Sequence, residues 1–91
     1  MRFRFKRGIP VEYEVQGYIY FTSRRFDRLS RAAQEKIRRL CREAGGEHEQ
    51  ALFAFVTTDA GALEVCSRYF LSESTLERAV KRYYQMYAQT L

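Results

Sequence analysis

Arginine dominates the residues of this chain that could make chemically specific contacts. Thirteen of the 91 residues are Arg and three are Lys, against eleven Asp and Glu, so the net charge is +5. The planar guanidinium group of Arg forms paired hydrogen bonds with phosphate oxygens and with the edge of guanine. The composition is therefore compatible with a nucleic acid as a partner, and equally compatible with a basic, solvated surface of no specific function.

The sequence contains no pattern typical of an enzyme. It has no nucleophile beside a base, no paired carboxylates in an apolar setting and no glycine-rich phosphate loop. The single histidine, His48, and the two cysteines, Cys41 and Cys66, do not have the spacing of a convincing zinc site. We therefore predict a protein that is not an enzyme and that holds no metal or other cofactor.

Segments that would target a protein to a membrane are not predicted. Residues 1–6 alternate charged and aromatic side chains and have no apolar core of a signal peptide. No apolar run approaches the length of a membrane span. Cys41 and Cys66 fall on predicted core faces rather than in a CxxC pair, so we expect both to be reduced and buried. These features predict one cytoplasmic domain, residues 1–91, with no membrane contact.

The first quarter of the chain has the alternation of a β-hairpin over about residues 2–22. Residues 2–6 and 11–15 alternate apolar and charged side chains, and a Gly and a Pro lie between them. A loop with an odd number of residues would set the cations of the first strand opposite the acids of the second. Residues 18–22 would continue the second strand or form a third. A hairpin followed by helices predicts an α+β fold.

The remainder, residues 29–91, has the periodicity of helices. Residues 29–44 form one amphipathic stripe, with Ser30 or Asp27 as the N-terminal cap and a Gly-Gly pair as the end. Residues 47–58 have acids where a first helical turn would be and an apolar face behind them, so we predict a helix. Their second half is also acceptable as a buried strand.

Two further helices are predicted, over residues 62–70 and from residue 72 to about residue 88. They are joined by a very short break at Phe70 and Leu71, and the segment in which they pair covers about residues 61–84. Helices that meet across so tight a turn share one small core and need a small residue where they touch. Cys66 occupies that position, and Ser72 is suited to cap the second helix. Apolar residues from both helices and the turn complete the core: Val65, Tyr69, Leu71, Leu76, Ala79 and Val80.

The sequence EVCSRYFLSESTLERAVKR, residues 64–82, resembles the helix-turn-helix of sigma-factor, resolvase and transposase DNA-binding domains. Those segments commonly have an acidic residue, Ile-Ala, four variable residues, an aliphatic residue and then Ser-x-x-Thr-Val. The turn usually carries Gly because its backbone favours positive φ, whereas this chain has Phe70 there. The resemblance suggests a small DNA-binding protein, and a protein of a bacterial mobile element is one such case.

The resemblance implies sequence-specific binding of double-stranded DNA, in transcription regulation or as an accessory factor of a mobile element. It assigns base-edge contacts to the residues near the start of the second helix and phosphate contacts to the flanking cations. The two acids among them would have to face cytosine amino groups or avoid the phosphates. Each residue could equally belong to a solvated helix face. The base-edge set is Glu73, Ser74, Glu77 and Arg78, and the phosphate set is Arg68, Thr75, Lys81 and Arg82, with Ser72 at the helix start.

The main alternative is a non-catalytic protein–protein interaction module that uses the hairpin edge and a tyrosine stripe in the C-terminal helix. That stripe is interpreted first as core packing and second as the seam of a homodimer, which would supply two DNA-binding helices. Its members are Leu76, Val80, Tyr83, Tyr87 and Leu91. The arginines between residues 24 and 42 would either extend a phosphate-binding surface or form a solvated helix face.

Overall fold

The computed structural model describes residues 8–91, which form five α-helices. Single 3-10 turns at Phe26–Arg28 and Gly46–His48 connect the first helix to the second and the second to the third. In this part of the chain no helix is long and apolar enough to cross a membrane. The helices are α1 (Tyr13–Arg24), α2 (Arg31–Gly45), α3 (Glu49–Thr57), α4 (Ala62–Tyr69) and α5 (Glu73–Ala88).

The predicted α+β fold with a β-hairpin over residues 2–22 is wrong. Residues 13–22, which the alternation assigned to the second strand and its continuation, lie in α1, and residues 8–91 include no strand. The proposed first strand, residues 2–6, lies outside the described residues. The buried positions of α1 are Gln16, Ile19 and Ser23, which have helical spacing. Two of the three are polar, and this hid the helical period from a hydrophobicity pattern.

Hydrogen bonds of two buried polar side chains anchor α1. The side-chain amide of Gln16 donates to the carbonyl oxygens of Ile9, at 3.3 Å, and Val11, at 3.1 Å. The hydroxyl groups of Ser23 and Tyr83 lie 2.6 Å apart and share a hydrogen bond that joins α1 to α5. A buried polar group is tolerated when it is bonded in this way. The two bonds of Gln16 fix the chain before α1, and the bond of Ser23 fixes the contact between α1 and α5.

The boundaries of α2 and α3 agree with the sequence prediction to within two residues. Ser30 is the N-cap of α2 and accepts a hydrogen bond from the backbone N–H of Ala33 at 3.2 Å. Gly46 follows the helix with a φ of 56°, a left-handed conformation that glycine adopts at little cost. The second half of residues 47–58 is helical, as α3, which confirms the helix and excludes the strand.

The tyrosines of α5 belong to the core. Tyr83, Tyr84 and Tyr87 are each less than 5% exposed, and Cys41 and Cys66 are buried and form no disulfide. Burial raises the pKa of Tyr83 and Tyr84, so both phenols stay protonated. The interpretation of the stripe as core packing is confirmed as far as Tyr87. A homodimer seam through these tyrosines is not available in this fold.

Candidate nucleic-acid interface

Helices α3, α4 and α5 form a small three-helix unit in which each packs against the other two. Only residues 70–72 separate α4 from α5, and α3 supplies the third helix that supports a helix-turn-helix. The core positions that the sequence predicted are buried or half-buried in this unit. They are Val65, Cys66 and Tyr69 of α4, Leu71 of the turn, and Leu76, Ala79 and Val80 of α5.

The turn depends on the left-handed backbone of Phe70, which has φ 57° and ψ 51°. The N–H groups of Phe70 and Leu71 both donate to the carbonyl oxygen of Cys66, the latter at 3.1 Å. These bonds satisfy a carbonyl that the end of α4 would otherwise leave open. The positive φ expected at this position is therefore present without glycine. The Phe70 ring is 93% exposed and gains no packing energy in return.

Ser72 is the N-cap of α5, as predicted. Its hydroxyl oxygen accepts from the backbone N–H of Thr75 at 3.1 Å, and its O–H group donates to the Thr75 hydroxyl oxygen at 2.8 Å. Arg78 also donates to that hydroxyl, at 3.5 Å. Glu73 adds a negative charge to the first turn, where the helix dipole favours it. Burial, with a smaller contribution from the Glu73 carboxylate, raises the pKa of the Cys66 thiol. The start of α5 is thus held in place by its own side chains.

Four of the predicted DNA contacts line one wall of an open groove of about 590 Å³ beside α5. They are exposed, and their spacing of three and four residues places them on one helix face. Gly8 and Ile9, from the segment before α1, also line the groove. The four contacts are Ser74, Glu77, Arg78 and Lys81, and the apolar lining comes from Phe55, Ala62, Leu76 and Val80.

The other two predicted cations make contacts within the fold. Arg68 forms an ion pair with Glu64 of its own helix at 3.1 Å, and both side chains are more than half exposed. The Nε atom of Arg82 donates to the carbonyl oxygen of Ala44 at 2.9 Å. Because Ala44 lies at the end of α2, this bond holds the C-terminus of α2 against α5. Part of the hydrogen-bonding capacity of Arg82 therefore serves packing.

Positive charge is concentrated outside the helix-turn-helix. Residues 61–84 contain four cations and three acids, whereas residues 24–43 contain eight cations and three acids. Several arginines in the second region have partners: Arg24 pairs with Asp59, and Arg38 stacks over the rings of Phe26 and Phe53. The exposed cations there include Arg25, Arg28 and Arg31.

Six of the groove residues were not among the predicted site residues, and Ile9 and Phe55 are two of them. Ile9, which was assigned to a hairpin turn, is 6% exposed and is held by Gln16. Phe55 was correctly placed in the helix 47–58, although nothing in its spacing indicated a position beside α5. The sequence signal for Ile9 would have been the helical spacing of Gln16 and Ile19, because a helix there brings the preceding residues back to the core.

Comparison of the chain with protein-family models, with curated proteins and with solved structures finds no match. The geometry of α3, α4 and α5 is therefore the basis for assigning a function.

Proposed function

We propose that this cytoplasmic protein binds double-stranded DNA by placing the exposed face of α5 in the major groove. One observation carries the proposal: a short helix–turn–helix, supported by α3 and capped at both sides of its turn, exposes a polar stripe along its second helix. Such a helix fits the width of the major groove. Transcription regulation, or an accessory function for a mobile element, is the role that we propose for the binding.

The residues of the stripe have chemistry suited to base edges. Arg78 can donate two hydrogen bonds to the O6 and N7 atoms of guanine, and Ser74, one turn earlier, can contact most bases. Glu77 can accept from the amino group of cytosine, and its repulsion by phosphate keeps it toward the base pairs. Lys81 lies one turn farther along α5 and suits a phosphate that borders the groove.

The test is selection from a random duplex pool at two salt concentrations, followed by sequencing. We expect a short motif whose enrichment survives the higher salt, because base contacts lose less affinity with salt than phosphate contacts do. Arg78→Ala should relax the preference at one base pair, and the control Arg31→Ala, which removes an exposed cation of α2, should keep the motif. Recovery of no motif by the wild-type protein would contradict sequence-specific binding.

A protein-interaction function has one specific observation in its favour, although not at the predicted surfaces. The hairpin edge is replaced by α1, and the tyrosines of α5 are buried. However, α1 exposes three large aromatic side chains, Tyr13 at 61%, Tyr18 at 54% and Phe21 at 46%. Exposed aromatic side chains on one helix are typical of a protein contact rather than of a DNA contact.

A further inference from the structure

The exposed face of α1 carries a stripe in the order acid, aromatic, aromatic, base. Its members are Glu14, Tyr18, Phe21 and Arg25, which we call the α1 stripe. All four are exposed, and Arg25 is the residue that caps the end of the helix. At 3.6 residues per turn, these four positions fall within about 60° of arc. The opposite side of α1 packs into the core through Ile19 and its neighbours.

The α1 stripe is complementary to itself in one orientation. The midpoint between Glu14 and Arg25 in the sequence coincides with the midpoint between Tyr18 and Phe21. If a second copy packs antiparallel about a two-fold axis at that midpoint, each Glu14 faces an Arg25 and each Tyr18 faces a Phe21. A parallel pairing would instead place like charges together at both ends. A two-fold interface requires this kind of self-complementary surface.

We propose that α1 is the interface of a homodimer in which two copies of the α1 stripe pack antiparallel. The aromatic pair forms the centre, and the two ion pairs at the rim fix orientation and register. This division matches protein interfaces, where buried aromatic residues supply most of the affinity and rim charges supply specificity. Antiparallel helices also bring the negative end of each helix dipole to the positive end of the other.

Neighbouring residues in the same chain already hold the aromatic rings of the stripe in place. The ring of Tyr18 packs edge-on against Tyr87 with 6.5 Å between ring centroids, and Phe21 packs edge-on against Tyr20 at 5.1 Å. Rings ordered before association lose less conformational entropy on binding. The homodimer goes beyond the proposed DNA binding and does not depend on it, because no residue of the α1 stripe lines the groove beside α5.

A charge-exchange experiment tests the interface without DNA. Glu14→Arg sets Arg against Arg at both ends of the interface, and Arg25→Glu sets Glu against Glu. Each variant alone should dimerise at least about tenfold more weakly than the wild type, because like charges meet at both ends. An equimolar mixture should form a heterodimer of wild-type strength, since every contact is then Arg with Glu. Sedimentation equilibrium of each variant and of the mixture measures these affinities.

The controls separate the interface from net charge and from folding. Glu35→Arg and Arg31→Glu make the same charge changes on the exposed face of α2 and should leave the dimer unchanged. Circular dichroism should show wild-type helix content for every variant, and Glu14→Gln provides a milder change at the same position. A wild-type protein that stays monomeric at about 1 mM would overturn the proposal. So would single variants that dimerise normally, or a mixture that fails to associate.

Discussion

Helices α1 and α5 use the same kind of side chain in opposite ways. In α5, Tyr83, Tyr84 and Tyr87 are almost fully buried, and the exposed side is polar and charged. In α1, Tyr13 and Tyr18 are more than half exposed, and the buried side includes the polar residues Gln16 and Ser23. Tyrosine suits both settings because it has a large apolar ring and a polar tip.

The contrast is the basis on which we propose two separate functions for one small domain. A polar helix face that stands out from a three-helix unit is suited to the edges of base pairs, whereas an aromatic face with charged ends is suited to another protein surface. The two helices meet at the Ser23–Tyr83 hydrogen bond. We therefore expect substitutions on α1 and α5 to have effects that can be separated, provided that this shared contact is left intact.

The largest expected effect is the loss of the Tyr83 ring. Tyr83→Ala should lower the free energy of unfolding by about 3–5 kcal/mol, because it leaves a cavity in the core. Tyr18→Ala, on the exposed side of α1, should cost less than about 1 kcal/mol. Urea denaturation of both variants measures the difference. Equal losses would show that the exposed and buried tyrosines are not used differently.

The dependence of stability on alkaline pH tests whether the core around Cys41 is as closed to water as its burial indicates. Burial, with a smaller contribution from Glu49, raises the pKa of the Cys41 thiol from 9.0 to about 12. Because the unfolded thiol ionises first, the contribution of this thiol to stability should be constant below about pH 9 and fall above it, by up to about 1.4 kcal/mol per pH unit. Cys41→Ala should reduce the slope above pH 9. Denaturation measured from pH 8 to pH 10.5 tests this, and an unchanged slope in the variant would contradict it.

Arg78 tests the exposed side of α5. Arg78→Ala should weaken binding to the selected duplex by about 1–3 kcal/mol if its guanidinium pairs with guanine. Tyr18→Ala on the α1 stripe is the comparison and should leave the affinity of the protein for a single half-site unchanged. Anisotropy titrations with a half-site duplex measure both. If Tyr18→Ala lowered the affinity for the duplex more than Arg78→Ala did, the DNA-binding face would lie on α1 rather than on α5.

The smallest predicted effect concerns the turn that positions α5. Phe70 has a left-handed backbone and a fully solvated ring, so Phe70→Gly relieves backbone strain and loses no packing. The relief exceeds the extra entropy of glycine in the unfolded chain, and we expect stabilisation of about 0.5–1 kcal/mol. Thermal denaturation measures it. Destabilisation would indicate that the Phe70 ring has a contact that supports the fold.

The helices after residue 29 were predictable because local signals agreed with their packing. Ser30 and Ser72 mark helix starts by their capping chemistry, and the Gly pair after α2 marks its end, so no long-range information was needed. The small residue Cys66 and the apolar positions around it predicted that α4 and α5 pack together across a short connection. The stripe of contacts on α5 follows from that register, although its use in DNA binding stays a prediction.

The first quarter could not be predicted in the same way. The alternation around Val11 and Val15 is too short to distinguish a strand from a helix, and the side of α1 that packs inward depends on the partners of Gln16 and Ser23. The partners of Gln16 are Ile9 and Val11, and the partner of Ser23 is Tyr83, which lies sixty residues after it in the sequence. A buried serine is recognised as such only after its partner has been placed. The groove wall at Ile9 was missed for the same reason.

The most direct test of DNA binding through α5 compares two double variants that remove the same charge. Arg78→Ala with Lys81→Ala alters the exposed face of α5, and Arg28→Ala with Arg31→Ala alters exposed cations at the start of α2. We expect the α5 variant to bind the selected duplex at least about tenfold more weakly than the α2 variant and to lose discrimination against unrelated duplexes. Equal weakening by the two variants, or no binding by the wild-type protein at low salt, would contradict the account.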